Sequence, residues 1–132
     1  MNTTTRTAIA LTAGTALLLI PVGVGAAKDD NRAEVRVIGD CSARTDWKLK
    51  AKERDGGLEV EFEVDSNRVG QTWAFVISRN GAQFAQGNRR TTAPSGSFSV
   101  ERRTVGSEGP DTITARSQNV RTGEVCLATL SI

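Results

Sequence analysis

Three glutamates, Glu59, Glu61 and Glu63, alternate along a strand-like run. Alternate residues of a strand share a face and lie about 6.6–6.8 Å apart. That falls within the ~6.5–9.5 Å separating acid and base in an inverting glycosidase. Such an enzyme also needs a cleft and one carboxyl with a raised pKa. Lys48, Lys50 and Lys52 alternate in the preceding run and would face the glutamates across a hairpin. A lysine opposite a glutamate lowers its pKa, which removes the proton donor. The glutamates therefore read as ion-pair partners. A second candidate, Asp65-Ser66-Asn67-Arg68-Val69-Gly70, opens like a calcium loop. An EF-hand requires an oxygen ligand at its fifth position and a glutamate at its twelfth. Those positions hold Val69 and Val76. The segment reads as a turn held by Asp and Asn side chains, with a partial calcium site including Asp29 and Asp30 as the minor alternative.

Other chemistries lack their residues. The chain has no histidine, so Ser-His-Asp and Cys-His catalysis and the usual zinc sites are excluded. No glycine-rich loop with a following lysine forms a phosphate cradle. Neither a metal nor a cofactor is expected. Cys41 and Cys126 are the only cysteines. In an oxidising compartment they should pair, and the loop between them is long. Two free buried thiols are the alternative.

Residues 1–27 supply the compartment. Arg6 forms a positive start, an apolar run extends from Ala8 to Val24, and small residues follow Pro21. This is the pattern of a signal peptide, with cleavage after Ala26 or Ala27. An uncleaved anchor is the competing reading. A span needs about 20 largely apolar residues, and this run is interrupted by Thr12, Thr15 and Pro21. The expected product is secreted or held in the envelope, without stable membrane insertion. Residues 28–33 read as a flexible N-terminus and 34–132 as one domain. The formal net charge is only +2, which signals neither nucleic acid nor a polybasic membrane contact.

The domain reads as strands and turns. Glu34–Ile38 is a first strand, and 39–45 a loop. Across 46–64, Trp47, Leu49 and Ala51 alternate with lysines, and Leu58, Val60, Phe62 and Val64 with glutamates. Asp55-Gly56 suits a type I′ turn. That turn places Lys52, Lys50 and Lys48 opposite Glu59, Glu61 and Glu63. It places Leu49 opposite Phe62 and Trp47 opposite Val64. A one-residue slip would bury lysines. A second hairpin, Thr72–Arg79 and Ala82–Gly87, turns at Asn80-Gly81 and sets Ile77 opposite Phe84. Further strands are Ser97–Glu101, Asp111–Ser117 and Glu124–Ser131. Trp47, Phe62, Trp73, Phe75 and Phe98 are the expected core aromatics. Seven to eight short strands at this spacing indicate an all-β, immunoglobulin-like antiparallel sandwich.

The order Cys41, Trp73, Cys126 resembles immunoglobulin domains, except that Cys126 falls in the last strand. The chain also resembles a group of small secreted actinobacterial proteins without known activity. Gly39-Asp40-Cys41-Ser42, Leu58–Asp65, Ala93-Pro94-Ser95-Gly96-Ser97-Phe98 and Gly123-Glu124-Val125-Cys126 carry that resemblance, which covers nearly all of the mature chain. It implies export and fold, and no activity.

Strand connections in a sandwich alternate between its ends. Loops 39–45, 65–71, 88–96 and 118–123 should share one end, carrying Arg44, Arg68, Arg89, Arg90 and Arg121. Loops on a rigid sandwich are the usual place for binding sites. The bland alternative is solvated charge offset by Asp40, Asp46, Asp65 and Glu124. The expected function is an exported, non-catalytic binding or structural module, monomeric, contacting a protein or an anionic envelope polymer. The second expectation is a secreted protease inhibitor presenting residues 89–97, where Pro94 limits flexibility.

Overall fold

The computed structural model describes residues 32–132. The expected signal peptide, 1–27, and residues 28–31 lie outside the described residues. Eight strands follow: β1 Glu34–Asp40, β2 Asp46–Arg54, β3 Gly57–Asp65, β4 Thr72–Arg79, β5 Ala82–Arg90, β6 Ser97–Val105, β7 Thr112–Asn119 and β8 Val125–Ser131. They form two four-stranded antiparallel sheets, in the orders β1-β2-β3-β6 and β5-β4-β7-β8. The chain changes sheet after β3, after β5 and after β6.

The β2–β3 hairpin has the register that its two faces require. Trp47 pairs with Val64, Leu49 with Phe62, Lys50 with Glu61 and Lys48 with Glu63. Asp55 and Gly56 take φ of 49° and 79°, as a type I′ turn demands. The inward residues of β2 and β3 meet those of the second sheet, and Leu49, Val60, Phe62, Val64, Trp73, Ile77 and Ile113 are wholly buried. Trp73 and Phe98 lie with ring centres 6.5 Å apart, one from each sheet.

Four expectations are corrected. Trp47 is half-buried at the edge of the core, and not inside it. Its Nε1 donates to the Asp40 carbonyl at 3.1 Å. The indole lies over Gly39, where a Cβ would collide with the ring. Gly39 and Asp40 are strand, not loop, because they continue the pairing of β1 with Trp47 and Asp46. Arg89 and Arg90 likewise belong to β5, where they pair with Trp73 and Thr72. Ile77 faces Ala85 rather than Phe84. A register shift between Ile77 and Ser78 makes Phe84 the extra residue, which packs against the core from a half-buried position.

Cys41 and Cys126 are disulfide-bonded, 85 residues apart in sequence. The bridge ties the end of β1 to the buried face of β8. It is fully buried at Cys126. Beside it, Ser42 N–H donates to the Val125 carbonyl at 2.8 Å. Closing a loop of this length restricts the unfolded chain by about 4–5 kcal/mol in the chain-entropy model. Reduction is expected to lower the urea midpoint by a corresponding amount. Intact mass before and after reduction, with alkylation, checks the bond itself, and paired urea titrations check its contribution.

Candidate functional site at the arginine-bearing loop end

The four connections at this end are laced together by the backbone. Ser66 N–H donates to Gly96 O at 3.1 Å, Gly70 N–H to Thr91 O at 2.8 Å and Val120 N–H to Thr72 O at 3.1 Å. Buried Thr91 fixes two loops with one hydroxyl, which donates to Arg68 O and accepts Gln71 N–H at 2.9 Å. Buried Gly96 lies against the backbone of Asn67 and Arg68, and a Cβ would overlap it. Asp65 Oδ1 accepts Asn67 N–H at 3.0 Å, so the segment that opens like a calcium loop is turned by its own side chains.

Glu124 organises the loop after β1. Its Oε2 accepts Ala43 N–H at 3.1 Å and Thr45 N–H at 3.0 Å, and its Oε1 accepts the Thr45 hydroxyl at 2.8 Å. This carboxylate is therefore spent on two backbone N–H groups and a hydroxyl, and does not offset the arginines as an ion-pair partner. Between these loops lies a cleft of about 400 Å³ lined by Arg44, Arg68, Thr45, Gln71 and Glu124 among others.

The five arginines are distributed unequally. Arg44 and Arg68 line that cleft and are exposed. The Arg90 guanidinium lies over Gly70, beside the Arg68 loop. Arg121 borders a neighbouring depression with Asn119 and Val120. Arg89 turns away: its guanidinium stacks 5.4 Å from the Phe75 ring centre, and Nη1 donates to Asn88 O at 3.2 Å. Among the described residues, none of the five forms an ion pair.

On the first sheet's outer face, the lysines of β2 and the glutamates of β3 between Glu59 and Glu63 have ion-pair partners. Lys50 Nζ is 3.3 Å from Glu61, Lys48 Nζ 3.9 Å from Glu63 and Arg54 Nη1 2.8 Å from Glu59. Lys52 stands opposite Glu59 in the ladder, yet its ammonium turns to Glu34 at 4.0 Å. Glu59 takes Arg103 at 3.6 Å as well as Arg54. Guanidiniums reach Glu59 with better geometry than an ammonium does.

Two groups escaped the reading of candidate sites. Asp40, Asp46 and Asp65 stand side by side across β1, β2 and β3. Shared hydrogen bonding with Asp40 raises the Asp46 pKa, with burial and the charges of Asp40 and Asp65 adding to it. Extending the hairpin register by one residue beyond Trp47 and Val64 puts Asp46 opposite Asp65, so part of this row was readable. The second is Asp111, at the opposite end and only 3% exposed. The Ser107 N–H bond at 3.0 Å holds its pKa below the ordinary carboxylate value. Burial opposes that, and the Ser107 hydroxyl, Asn80 Nδ2 and Arg79 reinforce it. Asp111 thus pins the β6–β7 loop to the β4–β5 turn.

The two carboxylates give opposite pH dependences. Asp111 has a lowered folded pKa, so its contribution is present above the unfolded value near 3.9 and is lost as pH falls through the folded value. Asp111→Asn should therefore destabilise at pH 7, with the difference shrinking toward pH 2 in urea titrations. Asp46 has a raised folded pKa, so its charged form opposes folding above that pKa. Asp46→Asn should raise the melting temperature at pH 7 and lose that advantage at pH 3.

Comparison with protein-family models, with curated proteins and with solved structures finds no match. What this end of the molecule does is read from its geometry.

Proposed function

We propose that the chain is an exported, non-catalytic binding module with an immunoglobulin-like sandwich, which contacts an anionic polymer of the cell envelope through its loop end. The single observation that carries this reading is the loop end itself. Arg44, Arg68, Arg90 and Arg121 sit on it without an acidic partner among the described residues, and two of them line one cleft. Guanidiniums in that state are available for bidentate contact with phosphate or carboxylate. The loops beneath them are held by part-buried hydrogen bonds, so little ordering remains to be done on binding.

The strand orders support the immunoglobulin-like reading. β2, β3 and β6 lie in one sheet, and β5, β4, β7 and β8 in the other, with β1 added beyond β2. Trp73, at the centre of the second sheet and wholly buried, fits the tryptophan of such folds. The bridge departs from the usual inter-sheet pair, since Cys41 precedes β2 and Cys126 lies in the last strand. A disulfide suits an oxidising compartment and so supports export. Among the described residues no helix is long and apolar enough to cross a membrane.

The inhibitor reading is weaker. Thr92 N–H donates to Ser97 O at 3.0 Å and Gly96 N–H to Thr92 O at 2.8 Å. Residues 92–97 close on themselves in a tight turn around Pro94, whereas strand-like recognition needs extended backbone with open N–H and C=O groups.

Binding is measured with polyphosphate, polyglutamate and isolated envelope as probes. Arg44→Ala with Arg68→Ala should weaken binding by roughly tenfold or more, since hydrogen bonds to charged groups are worth about 1.5–3 kcal/mol each. The melting temperature should be nearly unchanged. Affinity should fall steeply with salt, because exposed charges are screened beyond about 10 Å at 0.1 M. Failure to bind any of the three probes at low salt would end the proposal.

A further inference from the structure

Among the described residues, two open sheets leave four edge strands: β1 and β6 in one sheet, β5 and β8 in the other. An unpaired edge is a template for another strand, and proteins blunt it with charge, bulges or inward-pointing charge. Three edges here are blunted. β1 carries Glu34, Arg36 and Asp40. β6 carries Glu101, Arg102 and Arg103 in succession. β5 has a register shift, Gly87, and Arg89 turned inward over Phe75. β8 reads Val-Cys-Leu-Ala-Thr-Leu-Ser, with no charge, proline or glycine.

The ladder shows which groups of β8 are open. Asp111 and Ile132 exchange both backbone bonds, at 2.8 and 2.9 Å, and Asn119 N–H donates to Glu124 O at 2.9 Å. Antiparallel pairs alternate between bonded and non-bonded. Bonds to β7 therefore fall at Leu130, Ala128 and Cys126. The N–H and C=O groups of Val125, Leu127, Thr129 and Ser131 point away from β7. At Val125 both are taken by Ser42, at 2.9 Å and 2.8 Å. Among the described residues nothing bonds to those of Leu127, Thr129 and Ser131. Their side chains are exposed, Leu127 by 59%.

We propose that this edge pairs with the same edge of a second copy, joining two β5-β4-β7-β8 sheets antiparallel about a two-fold axis at Thr129. In that register Thr129 faces Thr129, and Leu127 of each copy faces Ser131 of the other. All three open residues are used, and six backbone hydrogen bonds form. Self-pairing is the match favoured by charge, because no like charges meet along an uncharged seam. Pairing with β1 would instead set Leu127 and Thr129 against Glu34 and Arg36. The contact is isologous, so it closes at two copies. Ser42 limits it to the far part of the strand. The contact is short of the ~1,000 Å² of a stable interface, so the dimer is weak and concentration-dependent. This differs from the monomer expected from the sequence, and it does not depend on the loop-end reading.

Sedimentation equilibrium of the purified chain from micromolar to millimolar concentration tests it. The mass should move from monomer to dimer and stop there. Thr129→Pro removes an N–H that the β7 ladder does not use, and proline is tolerated at such edge positions. Leu127→Lys places a charge from each copy on the seam. Each should weaken dimerisation by about tenfold or more, while the melting temperature of dilute protein stays nearly unchanged. If Thr129→Pro lowers that temperature, Leu127→Lys alone decides. Ile38→Lys on β1 should leave the dimer intact. The proposal is overturned by a wild-type monomer at millimolar concentration, by a dimer that Leu127→Lys leaves untouched, by equal weakening from Ile38→Lys, or by open-ended association.

Discussion

The register of β2 against β3 is the constraint on which the remaining structure depends. It decides which residues face inward in two adjacent strands at once. Leu49 and Ala51 then meet Phe62 and Val60 on one face, while Lys50 meets Glu61 on the other. A slip of one residue would send a row of lysines or glutamates into the core, at a penalty far above anything the surface pairs supply. The Asp55-Gly56 turn and the hydrophobic pattern point to the same register, so local and global preferences agree. β1 and β6 then add to the flanks of a template already set.

The second sheet is joined to this template in two ways. Apolar burial is the larger: Trp73, Phe75 and Ile77 from β4 fill the space above Phe62 and Phe98. The covalent link is at the rim, where Cys41 leaves β1 and meets Cys126 in β8. Glu124, two residues before Cys126, accepts three hydrogen bonds from the segment just after Cys41. Disulfide and carboxylate clamp the same short loop from either side. That loop carries Arg44. The rigidity of the cleft thus follows from the device that closes the sandwich.

Patterns confined to neighbouring strands were legible in the sequence. Alternation in β2 and β3, the two type I′ turns and the cysteine pair are local or chemically obligatory features. The features that were missed depend on where distant segments meet. Nothing around Phe84 announces the shift that replaces it with Ala85 opposite Ile77. Trp47 reads as core by alternation, yet it sits at the last inward position of β2, where the opposing sheet no longer covers it fully. Strand length was underestimated at β1, β5 and β6, because polar residues such as Asp40, Arg90 and Arg103 read as loop although their backbones stay paired. For the arginines, alternation of connections assigned all five to loops of one end, although Arg89 and Arg90 belong to β5. Only packing separates Arg44 and Arg68, which share a cleft, from Arg89, which covers Phe75.

Charge on this molecule is sorted by position, and that sorting carries the functional argument furthest. On the middle of the first sheet, lysines and arginines have carboxylates within ion-pair distance. At the loop end the two signs separate. Asp40, Asp46 and Asp65 stand together in one row, and that company raises the Asp46 pKa. Arg44 and Arg68 stand around the adjoining cleft without reaching them. Stability alone would favour setting opposite charges together, as Lys48 with Glu63 and Lys50 with Glu61 are, because like charges directly opposite are destabilising. Like charges kept together on loops otherwise tightly hydrogen-bonded are what the proposed binding reading expects of a surface that meets a partner. In the binding reading proposed above, the arginine side would face the anionic polymer and the acidic row would repel it.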